Sequence, residues 1–157
     1  YLRVLELAID HAARYEGVHT SRFRWYRDTD AGHYLDGLRD KPMSVKTRLL
    51  LVDDADVPAM QADLDDADVM GYYWHHTGDV DTFWMTTSDF GTAFPGRDLP
   101  RDCALYDRQL FVAYDEPRLV LRFDVLDHAN EMARLFDDLR ELSVRRAPAL
   151  RRVEPPT

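Results

Sequence analysis

The sequence predicts a single α/β domain, in which a mixed sheet is flanked by helices. An uninterrupted apolar run closes the segment 44–52, as is typical of a strand buried on both faces of an α/β sheet. Three short strand patterns, separated by turn residues, follow one another between 102 and 125. Apolar residues at steps of three and four in 2–16 and 127–142 predict helices that cover the sheet.

Length and composition restrict the class of protein. The 157 residues fit one ordinary domain, and 45% hydrophobic residues exclude an intrinsically disordered chain. A net charge of −9 argues against unaided nucleic-acid binding, because the polymer is itself an anion. The one cysteine, Cys103, excludes an internal disulfide and a multi-cysteine zinc site. No apolar stretch approaches the ~20 residues of a membrane span, so we expect a cytoplasmic protein without membrane contact.

The N-terminal third is predicted to form a helix, a strand and a loop. The apolar spacing of 2–16 indicates a helix that Gly17 ends. The alternation of side chains in 19–26 indicates a strand of period two. A polar loop follows, and it contains a short helix at 33–38 before the buried strand begins.

Two helical segments are predicted after the buried strand. Asp56 and Pro58 form a cap-and-proline helix start. The acidic residues in 65–68 break or re-cap this helix. A second helical segment then covers 69–76 and ends at Gly78.

The C-terminal half is predicted to be rich in strands. A strand candidate at 80–85 precedes a turn at 88–91 and a loop that reaches Pro100. A closing amphipathic helix follows the late strands. The predicted late strands are 102–106, 109–114 and 119–125. The predicted domain covers 1–143, and an extended tail follows at 144–157.

Consecutive aromatic residues form the candidate binding region. A helix cannot bury Tyr72, Tyr73 and Trp74 on one side, so we expect part of this cluster to form core. The surplus is expected to line a pocket or an oligomer interface, where tyrosine and tryptophan are favoured. With Trp84 and Asp89 in the next segment, these residues are the predicted ligand or interface residues.

His75 and His76 are the candidate catalytic residues, as the acid and base of a small-molecule enzyme. Adjacent helical residues project about 100° apart, so the pair does not chelate a metal as an i, i+4 pair does. The alternative is a helix end whose histidines complement the helix dipole. We expect no metal and no cofactor, and we expect Cys103 to be a buried, inert thiol.

Two segments carry a family resemblance: RLLLVDDADVPAMQ at 48–61 and DCALYDRQLFVAYDE at 102–116. Followed by an amphipathic helix, they resemble the phospholipase-D-like half-domain over roughly 44–142. In particular, they resemble its degenerate versions in small actinobacterial regulatory or accessory proteins. The resemblance implies that half-domain topology, and pairing of the half-domain about a two-fold axis.

The same resemblance implies the loss of catalysis. Active members of the family carry His-x-Lys and, five residues after the Lys, an Asp. When Asp107 is aligned with that Asp, Pro100 stands at the His position and Asp102 at the Lys position. Both the nucleophile and the phosphate-binding cation are absent, so phosphodiesterase activity is not expected.

Two functions therefore stay open. The first is a non-catalytic regulatory or protein-interaction module of a bacterial cytoplasmic pathway, as a homodimer and with a protein partner as a further option. The second is a small-molecule enzyme or ligand-binding accessory protein of a biosynthetic pathway. It would use the region formed by 72–76 and 84–89.

Overall fold

One mixed sheet organises the chain in a computed structural model that describes residues 2–20, 22–29, 32–100, 102–115, 120–124 and 127–155. Within these ranges the strands are β1 (Arg14–His19), β2 (Val45–Val52), β3 (Asp81–Thr86), β4 (Cys103–Tyr106), β5 (Leu110–Asp115), β6 (Val120–Asp124) and β7 (Arg151–Arg152). The helices are α1 (Leu2–His11), α2 (Phe23–Asp28), α3 (Gly32–Asp40), α4 (Val57–Asp65), α5 (Ala67–Thr77), α6 (Thr87–Ala93) and α7 (Asp127–Val144).

The sheet has the spatial order β6-β5-β4-β1-β2-β3-β7. β1, β2 and β3 are parallel, and all other pairs are antiparallel. The crossovers between the parallel strands run through α2 with α3 and through α4 with α5. The carboxyl ends of the three parallel strands therefore meet at one edge, which is also where β4 begins.

Two cores lie on opposite faces of the sheet. Helices α1 to α5 pack on one face, where Leu50 and Val52 of β2 are buried. Helices α6 and α7 pack on the other face, against Leu49 and Leu51 of the same strand. The uninterrupted apolar run of β2 follows from burial on both faces, as the sequence predicts.

Most elements of the sequence prediction are confirmed, including the α/β class and the mixed sheet between helices. The helix that follows β2 is re-capped at Asp66, whose Oδ1 accepts the backbone N–H groups of Asp68 and Val69 at 3.0 and 3.1 Å. The three late strands and α7 also form where predicted, and the short helix near 33–38 is α3. Among the described residues, none of the helices has the length and apolar character that crossing a bilayer requires.

The predictions for 2–16 and 19–26 are wrong. The first helix ends at His11, and Gly17 lies inside β1 instead of ending a helix. The second segment contains α2, because Phe23 and Tyr26 are both fully buried and lie three residues apart on one helix face.

The prediction of a turn at 88–91 is also wrong, because this segment belongs to α6. The Thr86 hydroxyl accepts the backbone N–H of Asp89 at 3.0 Å and so caps the helix. Further on, the predicted tail contains β7, which pairs with β3, and Val153 is buried. The N–H of Val153 donates to the Thr82 carbonyl at 2.9 Å, so this part of the tail is docked on the sheet.

Gly17 is required by a close approach on the face of helices α1 to α5. The Tyr15 side chain passes over Gly17, and a Cβ built there would overlap the phenol oxygen. Tyr15 is 1% exposed and is held by hydrogen bonds to neighbouring side chains, so it has little room to move.

We expect Gly17→Ala to destabilise the protein by about 1–3 kcal/mol, the usual cost of forcing extra volume into a packed core. The matched control is Gly71→Ala, since Gly71 lies in α5 with nothing within 4 Å of a built Cβ. That control should stabilise the protein by about 0.5–1 kcal/mol. Urea unfolding measures both changes, and a Gly17→Ala protein as stable as wild type would contradict the packing argument.

Candidate functional site

The aromatic cluster of α5 divides between the core and its margin. Tyr73 is 0% exposed, and its ring packs edge-on against Phe23 with centroids 4.6 Å apart. Tyr72 and Trp74 are half-buried and pack against the same core. All three rings therefore contribute to core packing, and the helix accommodates them by placing only the central one inside.

The two candidate histidines lie in different surroundings. His75 is exposed, and its backbone carbonyl accepts Nη1 of Arg39 at 2.8 Å. His76 is 5% exposed, and its Nδ1 lies 2.7 Å from Oδ1 of Asp36. The His76–Asp36 contact ties α5 to α3, while Tyr72 packs on the imidazole at a centroid distance of 4.4 Å.

Trp84 and Asp89 are brought together by an arginine of the docked tail. Trp84 lies on β3 and is 6% exposed, and the Arg151 guanidinium sits 4.4 Å from the centroid of its ring. The same guanidinium donates from Nη1 to Asp89 Oδ2 at 3.2 Å. The predicted residues thus form separate groups rather than one site: Tyr73 in the core, His76 against Asp36, and Trp84 with Asp89 near the edge of β3.

A buried arginine, which the sequence analysis did not single out, lies at the centre of this face. Arg48 of β2 is 0% exposed. It donates from Nη1 to the Tyr73 hydroxyl at 3.1 Å and from Nη2 to the Tyr15 hydroxyl at 3.4 Å. Its guanidinium carbon also lies 5.6–5.9 Å from the ring centroids of Tyr15, Tyr26 and Tyr73. We call Arg48 and these three tyrosines the arginine cage.

The arginine cage is linked to both neighbouring strands. The Tyr15 hydroxyl lies 3.0 Å from Nε2 of His19, at the end of β1. The Tyr73 hydroxyl lies 2.9 Å from Oγ1 of Thr82 on β3. Burial raises the pKa of the Tyr26 hydroxyl, and the Arg48 charge only partly offsets this effect. The Tyr26 phenol therefore stays neutral beside the charged guanidinium.

His19 marks the carboxyl edge of the sheet above the arginine cage. Burial and then the nearby Arg48 charge lower the pKa of His19 well below its ordinary value of 6.5. Its Nδ1 lies 3.8 Å from Oδ1 of Asp102. Asp102 is itself engaged, because it accepts the N–H of Thr20 at 2.7 Å and the Thr20 hydroxyl at 3.1 Å. The edge therefore presents a neutral imidazole and an occupied carboxylate.

The opposite face of β1 buries a carboxylate. Glu16 is 0% exposed, and its Oε1 accepts from Arg14 at 2.5 Å, from Arg108 at 3.4 Å and from Arg140 at 3.5 Å. Arg108 has a φ of 59° in the turn between β4 and β5, a conformation that non-glycine residues rarely adopt. In that conformation its guanidinium also donates to Asp137 of α7 at 2.5 and 2.9 Å. Glu16 thus ties the sheet to α7.

A cavity of about 200 Å³ lies on this second face, between the sheet, α6 and α7. Its apolar lining includes Phe90, Phe111, Met132 and Leu135. Cys103 also lines it, and burial raises the pKa of this thiol to about 12. Cys103 is buried as predicted, and its raised pKa makes the thiolate scarce at neutral pH.

The arginine cage had one signal in the sequence, which is a charged residue inside the otherwise apolar pattern of β2. Arg48 interrupts the run VKTRLLLV, although its partners come from β1, α2 and α5 and share no motif with it. Among the described residues, no group of three or more His, Cys, Asp or Glu side chains could hold a metal ion. In comparisons with known proteins, no family, curated protein or solved structure matches the chain.

We expect stability to fall on mild acidification because of His19. Unfolding raises the pKa of His19 toward 6.5, so below that pH the unfolded chain binds a proton that the native protein does not. The free energy of unfolding should therefore decrease as pH drops from 6.5 toward 5, by up to about 1.4 kcal/mol per pH unit from this group.

Urea unfolding of wild type and His19→Gln between pH 5 and 7.5 measures this dependence. In the His19→Gln protein, the free energy of unfolding should fall less steeply with decreasing pH than in wild type, even if the stability at pH 7.5 differs between the two proteins. His75→Gln, at an exposed histidine of the same chain, should keep the slope. Equal slopes in wild type and His19→Gln would show that His19 is not held neutral.

Proposed function

We propose that the protein is a non-catalytic regulatory or protein-interaction module of a bacterial cytoplasmic pathway, built as a degenerate phospholipase-D-like half-domain. The observation that carries the proposal is the state of Asp102. It stands where the resembling enzymes need a cationic lysine, and both of its oxygens accept hydrogen bonds from Thr20. A carboxylate in that place repels a phosphate instead of binding it.

Two other groups suited to catalysis, Arg48 and His76, are also engaged inside the fold. Arg48 is enclosed by the arginine cage and is 0% exposed. The His76 side chain is 7% exposed and lies against Asp36, which also pairs with Arg39 at 3.1 Å. A catalytic acid or base must reach a substrate, whereas these contacts hold helices and strands together. This arrangement supports structural roles for these groups.

We expect no phosphodiesterase activity. With bis(p-nitrophenyl) phosphate as substrate, the absorbance of released p-nitrophenolate should rise no faster than in buffer, because neither nucleophile nor phosphate-binding cation is in place. Turnover that disappears in Asp107→Ala or His76→Ala would contradict the non-catalytic proposal. Turnover that both variants retain would come either from a contaminant or from other residues of the protein. If that activity co-migrates with the protein, it belongs to the protein and also contradicts the proposal.

Self-association is the second part of the proposal. Trp25 of α2 is 45% exposed and Leu7 of α1 is 51% exposed, and both helices cover the same face of the sheet. Tryptophan is among the residues that contribute most to binding energy in protein interfaces. A homodimer that uses this surface would bury Trp25 and Leu7 of both copies about a two-fold axis, in line with the half-domain resemblance. Trp74, by contrast, already packs on the core.

We expect a dimer in analytical ultracentrifugation at tens of micromolar, with twice the chain mass of 18.3 kDa. Trp25→Glu should return the species to 18.3 kDa with an unchanged far-UV circular dichroism spectrum, because Trp25 is half outside the core. The matched control is Val144→Glu, which changes a 79% exposed apolar residue on the other face and should leave the dimer intact. A wild-type protein that is monomeric over this range would end the homodimer proposal.

One observation favours a second candidate function, that of a ligand-binding accessory protein. The cavity of about 200 Å³ is large enough for a small molecule. It lies on the face opposite the arginine cage, so its use by a ligand is compatible with a dimer surface on α1 and α2. The cavity rather than the region of Tyr72–His76 is then the binding site.

A further inference from the structure

The cavity has the construction of a small-molecule site. Its floor is formed by Cys103 of β4 and Phe111 of β5, and its walls by Phe90 of α6 and by Met132 and Leu135 of α7. The segment 97–100, which joins α6 to β4, forms its mouth. Apolar walls on rigid elements with a few polar groups at the opening are typical of sites for small organic ligands.

The size of the cavity limits what it can hold. An apolar cavity of about 150 Å³ is enough to bind benzene. The volume of about 200 Å³ is therefore sufficient for one six-membered ring with a short chain. Apolar side chains line the enclosed part, so the ring is the part of the ligand that enters.

The charged residues at the mouth of the cavity indicate the sign of the charge that a ligand would carry. The charge of Arg97 is paired with that of Asp138, because its Nη2 lies 2.5 Å from Oδ2 of Asp138, while its Nη1 is buried without a hydrogen-bond partner. Asp98 and Glu131 are both exposed, line the cavity, and make no ion pair with any other described residue. The described part of the mouth therefore carries unneutralised negative charge, which favours a cation over a carboxylate.

An aromatic surface reinforces this preference. The His128 ring stacks on Phe111 with centroids 5.6 Å apart and an interplanar angle of 17°, and both rings line the cavity. The face of an aromatic ring attracts an ammonium group. Phe111 thus contributes to the floor for an apolar ring and lies close to the path of a charged chain.

We propose that this cavity binds a free arylalkylamine: an aromatic ring that enters the apolar cavity and a primary ammonium group that lies between Asp98 and Glu131. The inference rests on the second proposed function, ligand binding, and is independent of the homodimer. It assigns Phe111 and Met132 to ring contact, and Asp98 and Glu131 to recognition of the ammonium charge.

The test uses methyl NMR of the full chain labelled with [¹³C-methyl]methionine. Met132 lines the cavity, whereas Met60 lies in the core on the other face. Titration with 2-phenylethylamine should shift the Met132 methyl signal, which a Met132→Leu variant identifies, and leave that of Met60 unchanged. 2-Phenylethanol should bind about fivefold more weakly, and 3-phenylpropionate more weakly still, because the mouth is negatively charged.

Two variants separate charge recognition from cavity filling. Asp98→Asn and Glu131→Gln should each weaken 2-phenylethylamine binding by about two- to fivefold and leave 2-phenylethanol binding unchanged. Glu141→Gln, an exposed position of the same helix outside this cavity, is the control and should have no effect. Asp98 and Glu131 are both exposed, so the fold should tolerate the substitutions Asp98→Asn and Glu131→Gln.

The outcomes distinguish this inference from the function on which it rests. If 3-phenylpropionate or 2-phenylethanol binds at Met132 as tightly as the amine, the assignment to amines is overturned while ligand binding stands. The same holds if Asp98→Asn and Glu131→Gln leave amine binding unchanged. If none of the three probes shifts the Met132 signal at millimolar concentration, both the amine site and the ligand-binding function are overturned.

Discussion

The burial of the Arg48 guanidinium is the constraint on which one whole face of the structure depends. A charge removed from water is costly unless surrounding groups replace the lost hydration. Here phenol rings and hydroxyls replace it, and they come from β1, α2 and α5. The helices must therefore pack so that Tyr26 and Tyr73 meet over β2, and β1 must carry Gly17 where the Tyr15 side chain crosses it.

The two faces of β1 adjoin buried groups of opposite charge, the Arg48 guanidinium on one face and the Glu16 carboxylate on the other. The alternating side chains of β1 direct Tyr15 toward the arginine cage and Glu16 toward the helix α7. The buried guanidinium donates to phenol hydroxyls, whereas one oxygen of the buried carboxylate accepts from arginines of β1, the β4–β5 turn and α7. These two networks fix both helical layers to the same central strand, and they use polar groups that an active site would need to leave accessible.

The features that support each candidate function lie on different faces of the sheet. The exposed apolar residues of α1 and α2 belong to the face with the arginine cage, and the cavity belongs to the face with α7. The carboxyl edge between them carries Asp102 and His19, which are already hydrogen-bonded within the fold. The proposed dimer surface and the proposed ligand site would therefore not compete for the same residues.

Local patterns in the sequence determined the elements whose signals are self-contained. The apolar run of β2, the Asp66 cap between α4 and α5, and the stripe of α7 each specify an element without help from distant residues. Only the tertiary structure explains why a glycine stands at position 17 inside a strand. The Tyr15 side chain crosses Gly17, and Tyr15 is held there by Arg48 of another strand. The tertiary structure also decided the arginine cage and the cavity, since their residues are far apart in sequence and become neighbours only when the sheet and its helices assemble.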